Sequence, residues 1–200
     1  MSLFFLSGPH GAGKTTLSAR LQEHCGDVLI PKLETIIPRF RTSPLERIAL
    51  KVCERAIENY EALGIAEKNK EKIVLANRCV YDAEAYAEVY ARLGWVNTAE
   101  YNQLLDLNGF AFPVRVREPL AIVLNPPFEV TWERLRRRWL TEEKKWNEEN
   151  EDYLKAACKA YEKFEGKSNV LYLRGSEKVE EISRWLKEKQ NEYSTKKVSC

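Results

Sequence analysis

The stretch LFFLSGPHGAGKTTLSARL, residues 3–21, joins a short apolar run to a glycine-rich loop and then to an amphipathic segment. The run at residues 3–6 is continuous and rich in aromatic side chains, which is typical of a strand buried on both faces of a parallel sheet. Residues 8–15 match the pattern G-x-x-x-x-G-K-[ST] at every fixed position. Leu17 and Leu21 then recur at helical spacing. The sequence therefore predicts a strand, a phosphate-binding loop and a helix, in this order.

The composition of this loop predicts that it binds a nucleoside triphosphate. Its glycines allow backbone conformations that a Cβ atom would forbid, so that several N–H groups can converge on an anion. The helix that begins near Lys14 adds unpaired N–H groups and the positive end of its dipole. Lys14 is expected to reach the β- and γ-phosphates, and the Thr15 hydroxyl to bind Mg²⁺. The predicted nucleotide-binding residues are Gly8, Pro9, His10, Gly11, Ala12, Gly13, Lys14, Thr15 and Thr16.

The composition of the whole chain indicates one globular domain over residues 1–200, with 44% hydrophobic and 31% charged residues. A net charge of +2 does not favour binding to long nucleic acids or to membranes. The apolar N-terminal run is too short to span a bilayer and lacks a basic leader, so we expect a cytoplasmic protein. The five cysteines are scattered and never spaced as C-x-x-C, which argues against a disulfide framework and a zinc site.

Apolar runs alternate with helical patterns along the rest of the chain. Further strands are predicted at 28–34, 72–78, 120–127 and 169–175, and helices at 44–63, 82–93, 98–108, 128–140, 149–165 and 176–190. This alternation predicts an α/β fold of three layers, in which helices cover both faces of a five-stranded parallel sheet. Residues 191–200 are polar and are predicted to form a flexible tail.

A cluster of charges at residues 136–152, RRRWLTEEKKWNEENED, has two interpretations. Charge clusters of this kind are usually the solvated face of a helix. In a nucleotide-binding domain, however, Arg136, Arg137 and Arg138 are suited to neutralise phosphate oxygens during transfer. We therefore predict an arginine-bearing lid at about residues 136–150.

Two absences narrow the class of nucleotide-binding protein. The buried strands that end in LANR and VLNPP lack the terminal acid that motor and transporter ATPases carry for Mg²⁺ and water. The guanine-reading Asn-Lys-x-Asp pattern of GTPases is also missing from the sequence. With these two classes disfavoured, the nucleotide-binding protein that the sequence fits is a kinase that phosphorylates a small molecule.

Four later segments resemble the deoxynucleoside kinases and thymidylate kinases. VLANRCVYDAEAY (74–86) is similar to the strand end where that family places an acid-Arg pair, and LGWVNTAEYNQLLDL (93–107) to the segment where a Glu-aromatic pair precedes a helix. NPPFEVTWERLRRR (125–138) resembles the entry to the family's lid, and EEKKWNEENEDYLKAACKAYEKF (142–164) its exit. With the phosphate loop, the resemblance covers most of residues 3–175.

The resemblance implies a P-loop kinase that uses ATP and Mg²⁺. Glu34 falls at the place of the general base that takes the proton of the acceptor hydroxyl, and Arg78 at the place of an arginine that contacts phosphate. One or more of Arg134, Arg136, Arg137 and Arg138 would be lid arginines. The predicted catalytic residues are Lys14, Glu34, Arg78, Arg136, Arg137 and Arg138.

The chain also departs from the family pattern. Asn77 stands where the family usually has Glu or Asp, Ile48 where a glutamine reads a pyrimidine edge, and Ala83 where an acid often contacts the base. The sequence therefore supports phosphate chemistry better than recognition of any nucleobase.

Several candidate side chains also have structural interpretations. Arg78 could pair with Asp82 or Glu84 rather than with phosphate. His10 is expected to pack within the loop rather than to catalyse. The aromatic residues Tyr60, Trp95 and Tyr101 could stack on a base, although their helical spacing favours the core.

These observations predict ATP-dependent phosphoryl transfer to a nucleoside or a nucleoside monophosphate. A kinase for another metabolite or for a polynucleotide end is one alternative. A regulatory module that binds nucleotide without efficient transfer is another, and Asn77 motivates it. The predicted partner is a small phosphate acceptor, with no membrane, no long nucleic acid and a possible homodimer.

Overall fold

The structure is a computed structural model that describes residues 2–33, 43–144, 147–175 and 178–196. Its five strands are β1 (Ser2–Ser7), β2 (Val28–Leu29), β3 (Ile73–Asn77), β4 (Ala121–Leu124) and β5 (Val170–Leu173). They form one sheet in the order β2-β3-β1-β4-β5, and every neighbouring pair is parallel. The prediction of a five-stranded parallel sheet is confirmed.

Seven α-helices lie within the described ranges. They are α1 (Lys14–His24), α2 (Pro44–Lys68), α3 (Val80–Arg92), α4 (Thr98–Ala111), α5 (Phe128–Arg138), α6 (Glu151–Tyr161) and α7 (Val179–Lys196). Helices α1 and α7 contact each other and β1, whereas α2, α3, α4 and α6 pack together on the other side. The fold therefore has the three predicted layers.

The central strand β1 explains why the apolar run at its sequence position is continuous. Side chains alternate between the faces of a strand, so Phe4 and Leu6 enter the core beside α1 and α7, while Phe5 enters the core beside α2, α3 and α6. All three side chains are buried. Because both faces of β1 are covered, the loop that follows Ser7 is fixed at the carboxyl edge of the sheet, where α/β proteins bind their ligands.

Several element boundaries differ from the prediction. Strand β2 ends at Leu29 instead of continuing to residue 34, and it lies at the sheet edge just before Pro31, which has no N–H to donate to a ladder. Helix α2 begins at the Ser43 capping box and runs past residue 63 to Lys68. Helix α7 runs to Lys196, so residues 191–196, predicted as tail, are helical.

No helix in the described part of the chain is long and apolar enough to cross a membrane.

Candidate functional site

Residues 8–15, the phosphate loop, connect the end of β1 to the start of α1. Gly8, Gly11 and Gly13 have φ angles of 143°, 73° and 98°, in the region that favours glycine. A Cβ atom at Gly8 would lie 2.1 Å from the carbonyl oxygen of Leu124 at the end of β4. The close approach of two strand ends therefore requires glycine at this position.

Lys14 folds back over the phosphate loop. Its Nζ donates hydrogen bonds to the carbonyl oxygens of Gly8 at 2.7 Å and Pro9 at 2.8 Å. Burial of the ammonium group, together with the positive charge of Arg78, lowers its pKa well below the ordinary value. Negative charge next to Lys14 would reverse this effect, so the loop is electrostatically suited to a polyphosphate.

Arg78 follows directly after β3 and joins that strand to the phosphate loop. Its backbone has a φ angle of 72°, which is uncommon for a residue with a side chain. Its Nη1 donates to the carbonyl oxygen of Gly8 at 3.0 Å and to Asp82 Oδ1 at 2.7 Å. Of the two structural partners considered for Arg78, Asp82 is therefore the one that pairs with it, and the same pair brings the guanidinium to the phosphate loop.

Asp82 is a fully buried carboxylate with four donors. Beside Arg78, it accepts hydrogen bonds from Ser7 Oγ at 2.5 Å, the Cys79 backbone N–H at 2.9 Å and the Tyr161 hydroxyl at 2.6 Å. Burial raises the pKa of this carboxyl group, but the charges of Arg78 and Lys14 and these hydrogen bonds outweigh it, so the net pKa is lowered. One charged group thus ties β1, α3 and α6 together beneath the phosphate loop.

The arginines of α5 differ in direction. Arg134 Nη1 donates to the carbonyl oxygen of Ala12 at 2.8 Å, within the phosphate loop. Arg138, one turn later on the same face, pairs with the buried Glu148. Arg136 is exposed, and the Arg137 side chain is 77% exposed and pairs with Glu133. The structure therefore brings Arg134 and Arg138 towards the site but neither Arg136 nor Arg137.

His10 is the side chain by which the phosphate loop contacts the segment before α6. Its Nδ1 lies 3.1 Å from Glu148 Oε1. Burial lowers the pKa of His10 to about 4, despite the opposing effect of Glu148. The ring is therefore neutral near pH ~7, and its Nδ1–H donates to the carboxylate. The charge of Glu148 is balanced by Arg138 instead.

Aromatic rings cluster next to His10. Tyr86 on α3 lies 5.7 Å from the His10 ring and stacks on Tyr153, whose ring also stacks on Trp95 at 5.8 Å. Trp95 and Tyr101 pack against the core, as their spacing favoured, whereas Tyr60 is 56% exposed. Trp95 also belongs, with Tyr86 and Tyr153, to what we call the aromatic wall.

The remaining predicted residues have simpler positions. Thr15 and Thr16 are exposed in the first turn of α1, and Ala12 is buried beneath the loop. A hydroxyl oxygen such as that of Thr15 is a ligand type that Mg²⁺ accepts, and Mg²⁺ sites on nucleotides use few protein ligands beside phosphates and water. Glu34, the predicted general base, lies outside the described residues.

Sequence reasoning offered Asp82 as a partner of Arg78, but it missed the contacts of Asp82 with Ser7 and Tyr161 and every contact of Glu148. Asp82 lies only four residues after Arg78, and the sequence analysis named it for that pair, but its more distant partners have no local signal. Glu148 belongs to a segment with many acids, and nothing in the pattern marks it as the buried one.

A glycine loop cradled by lysine and arginine side chains, on a parallel sheet of this strand order, is typical of nucleotide-binding phosphotransferases. Over residues 4–198 the chain matches the family described as deoxynucleoside kinase. It therefore belongs to the deoxynucleoside kinase family, and the predicted class of enzyme, a nucleoside kinase, is confirmed.

Solved structures of deoxyadenosine kinase from M. mycoides share the fold. The form with bound dATP has a TM-score of 0.67 and 18% sequence identity, with 94% of this chain and 99% of that chain covered. The form with dCMP and dCDP as products has a TM-score of 0.59 and 17% sequence identity. The form with bound dCTP has a TM-score of 0.57 and 18% sequence identity. Each of these two matches covers 95% of this chain and 99% of the kinase chain. No curated protein sequence matches the chain.

The buried pair of Asp82 and Arg78 predicts a large effect on stability. Asp82→Ala leaves the guanidinium without its carboxylate and is expected to lower the free energy of unfolding by about 3–5 kcal/mol, measured by urea denaturation. Asp106→Ala, which removes an exposed carboxylate on α4, should change it by less than about 0.5 kcal/mol. Equal, small losses for both variants would contradict the assigned role of Asp82.

The lowered pKa of His10 predicts a pH dependence. Between about pH 6.5 and pH 4 the unfolded chain binds a proton on this histidine and the folded chain does not, so its contribution to stability is complete above this window and is lost as the pH falls through it. The thermal midpoint of His10→Gln should therefore fall less between about pH 7 and pH 5 than that of the wild type. His24→Gln is the matched control, and the same fall in all three proteins would refute the assignment.

Proposed function

We propose that this protein transfers the γ-phosphoryl group of ATP to a hydroxyl group of a deoxynucleoside, with Mg²⁺ bound beside the Thr15 hydroxyl. The convergence of Lys14, Arg78 and Arg134 on the phosphate loop, in a member of the deoxynucleoside kinase family, is the observation that carries the proposal. These cations would offset the charge of the transferred group, and preorganised charges of this kind contribute most of the catalysis in phosphoryl transfer.

Each of these side chains has a distinct part in the proposed reaction. Lys14 would exchange its two carbonyl partners for phosphate oxygens, which are stronger acceptors because they are charged. Arg78, held by Asp82, needs no reorganisation to present its guanidinium beside Gly8. When bound, Mg²⁺ would neutralise and orient the phosphates of the nucleotide.

The aromatic wall of Tyr86, Trp95 and Tyr153 supports a nucleoside as the acceptor. Tyr86 and Trp95 are partly exposed and could stack on a nucleobase, whereas Tyr153 is buried between them and supports both rings. Each stacked contact of this type contributes about 0.5–1.5 kcal/mol beyond burial. In the similar structures the bound molecules are deoxynucleotides, namely dATP, dCTP, dCMP and dCDP. A deoxynucleoside is therefore the acceptor to test first.

A cytoplasmic location and a homodimer are part of the same proposal.

The proposal is tested by acceptor-dependent release of ADP in the presence of ATP and Mg²⁺. Deoxynucleosides, ribonucleosides, nucleoside monophosphates and polyols are compared, and a deoxynucleoside should give the highest kcat/KM. Lys14→Ala should lower turnover at least ~10²-fold, as for loss of one preorganised charged donor, whereas Lys70→Ala, an exposed lysine, should not. ATP binding without ADP release for every acceptor would contradict transfer and favour a regulatory module.

Glu34 provides a separate prediction, because the resemblance puts it at the place of the family's general base. As the general base it would accept the proton of the acceptor hydroxyl, and general bases contribute about 10²–10⁴-fold. Glu34→Gln should therefore lower kcat within that range and leave the Kd of ATP nearly unchanged. Wild-type kcat in this variant would remove Glu34 from the mechanism.

A further inference from the structure

The contacts of Glu148 connect two parts of the chain that the sequence keeps far apart. Its Oε1 accepts the hydrogen bond of His10 Nδ1–H in the phosphate loop, and its Oε2 accepts one from Arg138 Nη2 at the end of α5. The two oxygens therefore serve two different partners. We call these contacts the Glu148 bridge.

Burial distinguishes Glu148 from the acidic residues around it. The Glu148 side chain is 0% exposed. Glu142, whose Oε2 lies 3.7 Å from Arg138 Nε, has a side chain that is 57% exposed. An ionised carboxylate removed from water is costly unless it is paired and hydrogen-bonded, and the bridge meets both conditions. The preceding residue, Asn147, has a φ angle of 56°, a left-handed conformation that asparagine tolerates better than most residues and that turns the chain just before Glu148.

Arg138 keeps hydrogen-bonding capacity while it is held by Glu148. Its Nε is buried, lies 3.7 Å from Glu142 Oε2 and makes no hydrogen bond among the described residues. Burial chiefly lowers the pKa of Lys14, and the charge of Arg138 contributes in the same direction. Arg138 is joined to the phosphate loop through Glu148 and His10, and the guanidinium N–H groups that Glu148 does not accept are suited to a phosphate oxygen.

We infer that Glu148 is a positioning residue for the transfer step, which fixes Arg138 next to the phosphate loop through the neutral His10. This inference rests on the proposed function. Because His10 contributes a hydrogen bond and not a charge, it locates the carboxylate without competing with Arg138 for it. Misplacement of a catalytic group by about 1 Å can cost about 10²-fold in rate, so a small error in the position of Arg138 is enough to matter.

Steady-state kinetics of Glu148→Gln test the inference. The amide keeps the shape but loses the charge that holds Arg138, so kcat should fall about 10- to 100-fold while KM for ATP changes less than about threefold. Glu142→Gln, which removes the exposed carboxylate on the same arginine, should retain wild-type kcat. A lowered thermal midpoint with unchanged kcat would show a purely structural role and overturn the inference, as would an increase in kcat.

A double variant tests whether His10 acts through Glu148. If it does, His10→Leu combined with Glu148→Gln should lower kcat no further than the more damaging single substitution does. Multiplied effects would show that the two residues act independently and would overturn the inferred connection.

Hydrogen exchange separates this inference from the proposed function, because it needs no acceptor. Without nucleotide, the backbone amides of residues 139–144 should exchange faster in His10→Leu and in Glu148→Gln than in the wild type and in Glu142→Gln. If the wild-type protein releases no ADP with any acceptor but this difference is present, the proposed function fails and the bridge stands. Equal exchange in all four proteins would overturn the bridge itself.

Discussion

The arrangement of the site depends on one buried carboxylate, that of Asp82. It accepts hydrogen bonds from the last residue of β1, from the start of α3 and from the end of α6, and it pairs with Arg78. A buried ion pair contributes little net stability compared with apolar packing, but removal of one partner is strongly destabilising. The value of Asp82 therefore lies in geometry, because it holds the guanidinium of Arg78 against the Gly8 carbonyl before any ligand is present.

Positive charge is gathered around the phosphate loop in two ways. Arg78 and Arg138 are paired with the buried carboxylates Asp82 and Glu148, whereas Lys14 and Arg134 donate to backbone carbonyl oxygens of the loop. Pairing with a buried carboxylate fixes the position of a guanidinium. A cation that donates only to backbone carbonyl oxygens can exchange them for the oxygens of a bound anion. A polyphosphate would thus meet cations that are already placed and only partly neutralised.

The sequence predicted the parts of this structure that depend on local pattern. The glycine pattern indicated a loop with positive φ angles, which glycine adopts readily, and the structure has them. The continuous apolar runs indicated strands buried on both faces, and therefore a parallel sheet between two layers of helices. The pairing of Arg78 with Asp82 was one of two alternatives that the sequence offered, because Asp82 and Glu84 both lie close to Arg78 along the chain. Edge strand β2 was predicted too long because apolar content does not reveal where a neighbouring strand stops pairing.

The rest could not be predicted, because it depends on contacts between distant segments. His10 and Glu148 are 138 positions apart, and no periodicity connects them. The choice of Arg134 and Arg138 over Arg136 and Arg137 depends on the rotation of α5 about its own axis, which packing against the rest of the fold determines. Tertiary packing therefore decides which of several equivalent charges enters the site.

Phosphorus NMR of a reaction mixture of the protein with ATP, Mg²⁺ and a deoxynucleoside distinguishes transfer of the γ-phosphoryl group from hydrolysis of ATP. We expect a phosphate monoester of the deoxynucleoside to appear in step with ADP, without a growing signal of inorganic phosphate. Inorganic phosphate appearing in step with ADP, without the monoester, would contradict the claim that this site directs the γ-phosphoryl group to a nucleoside.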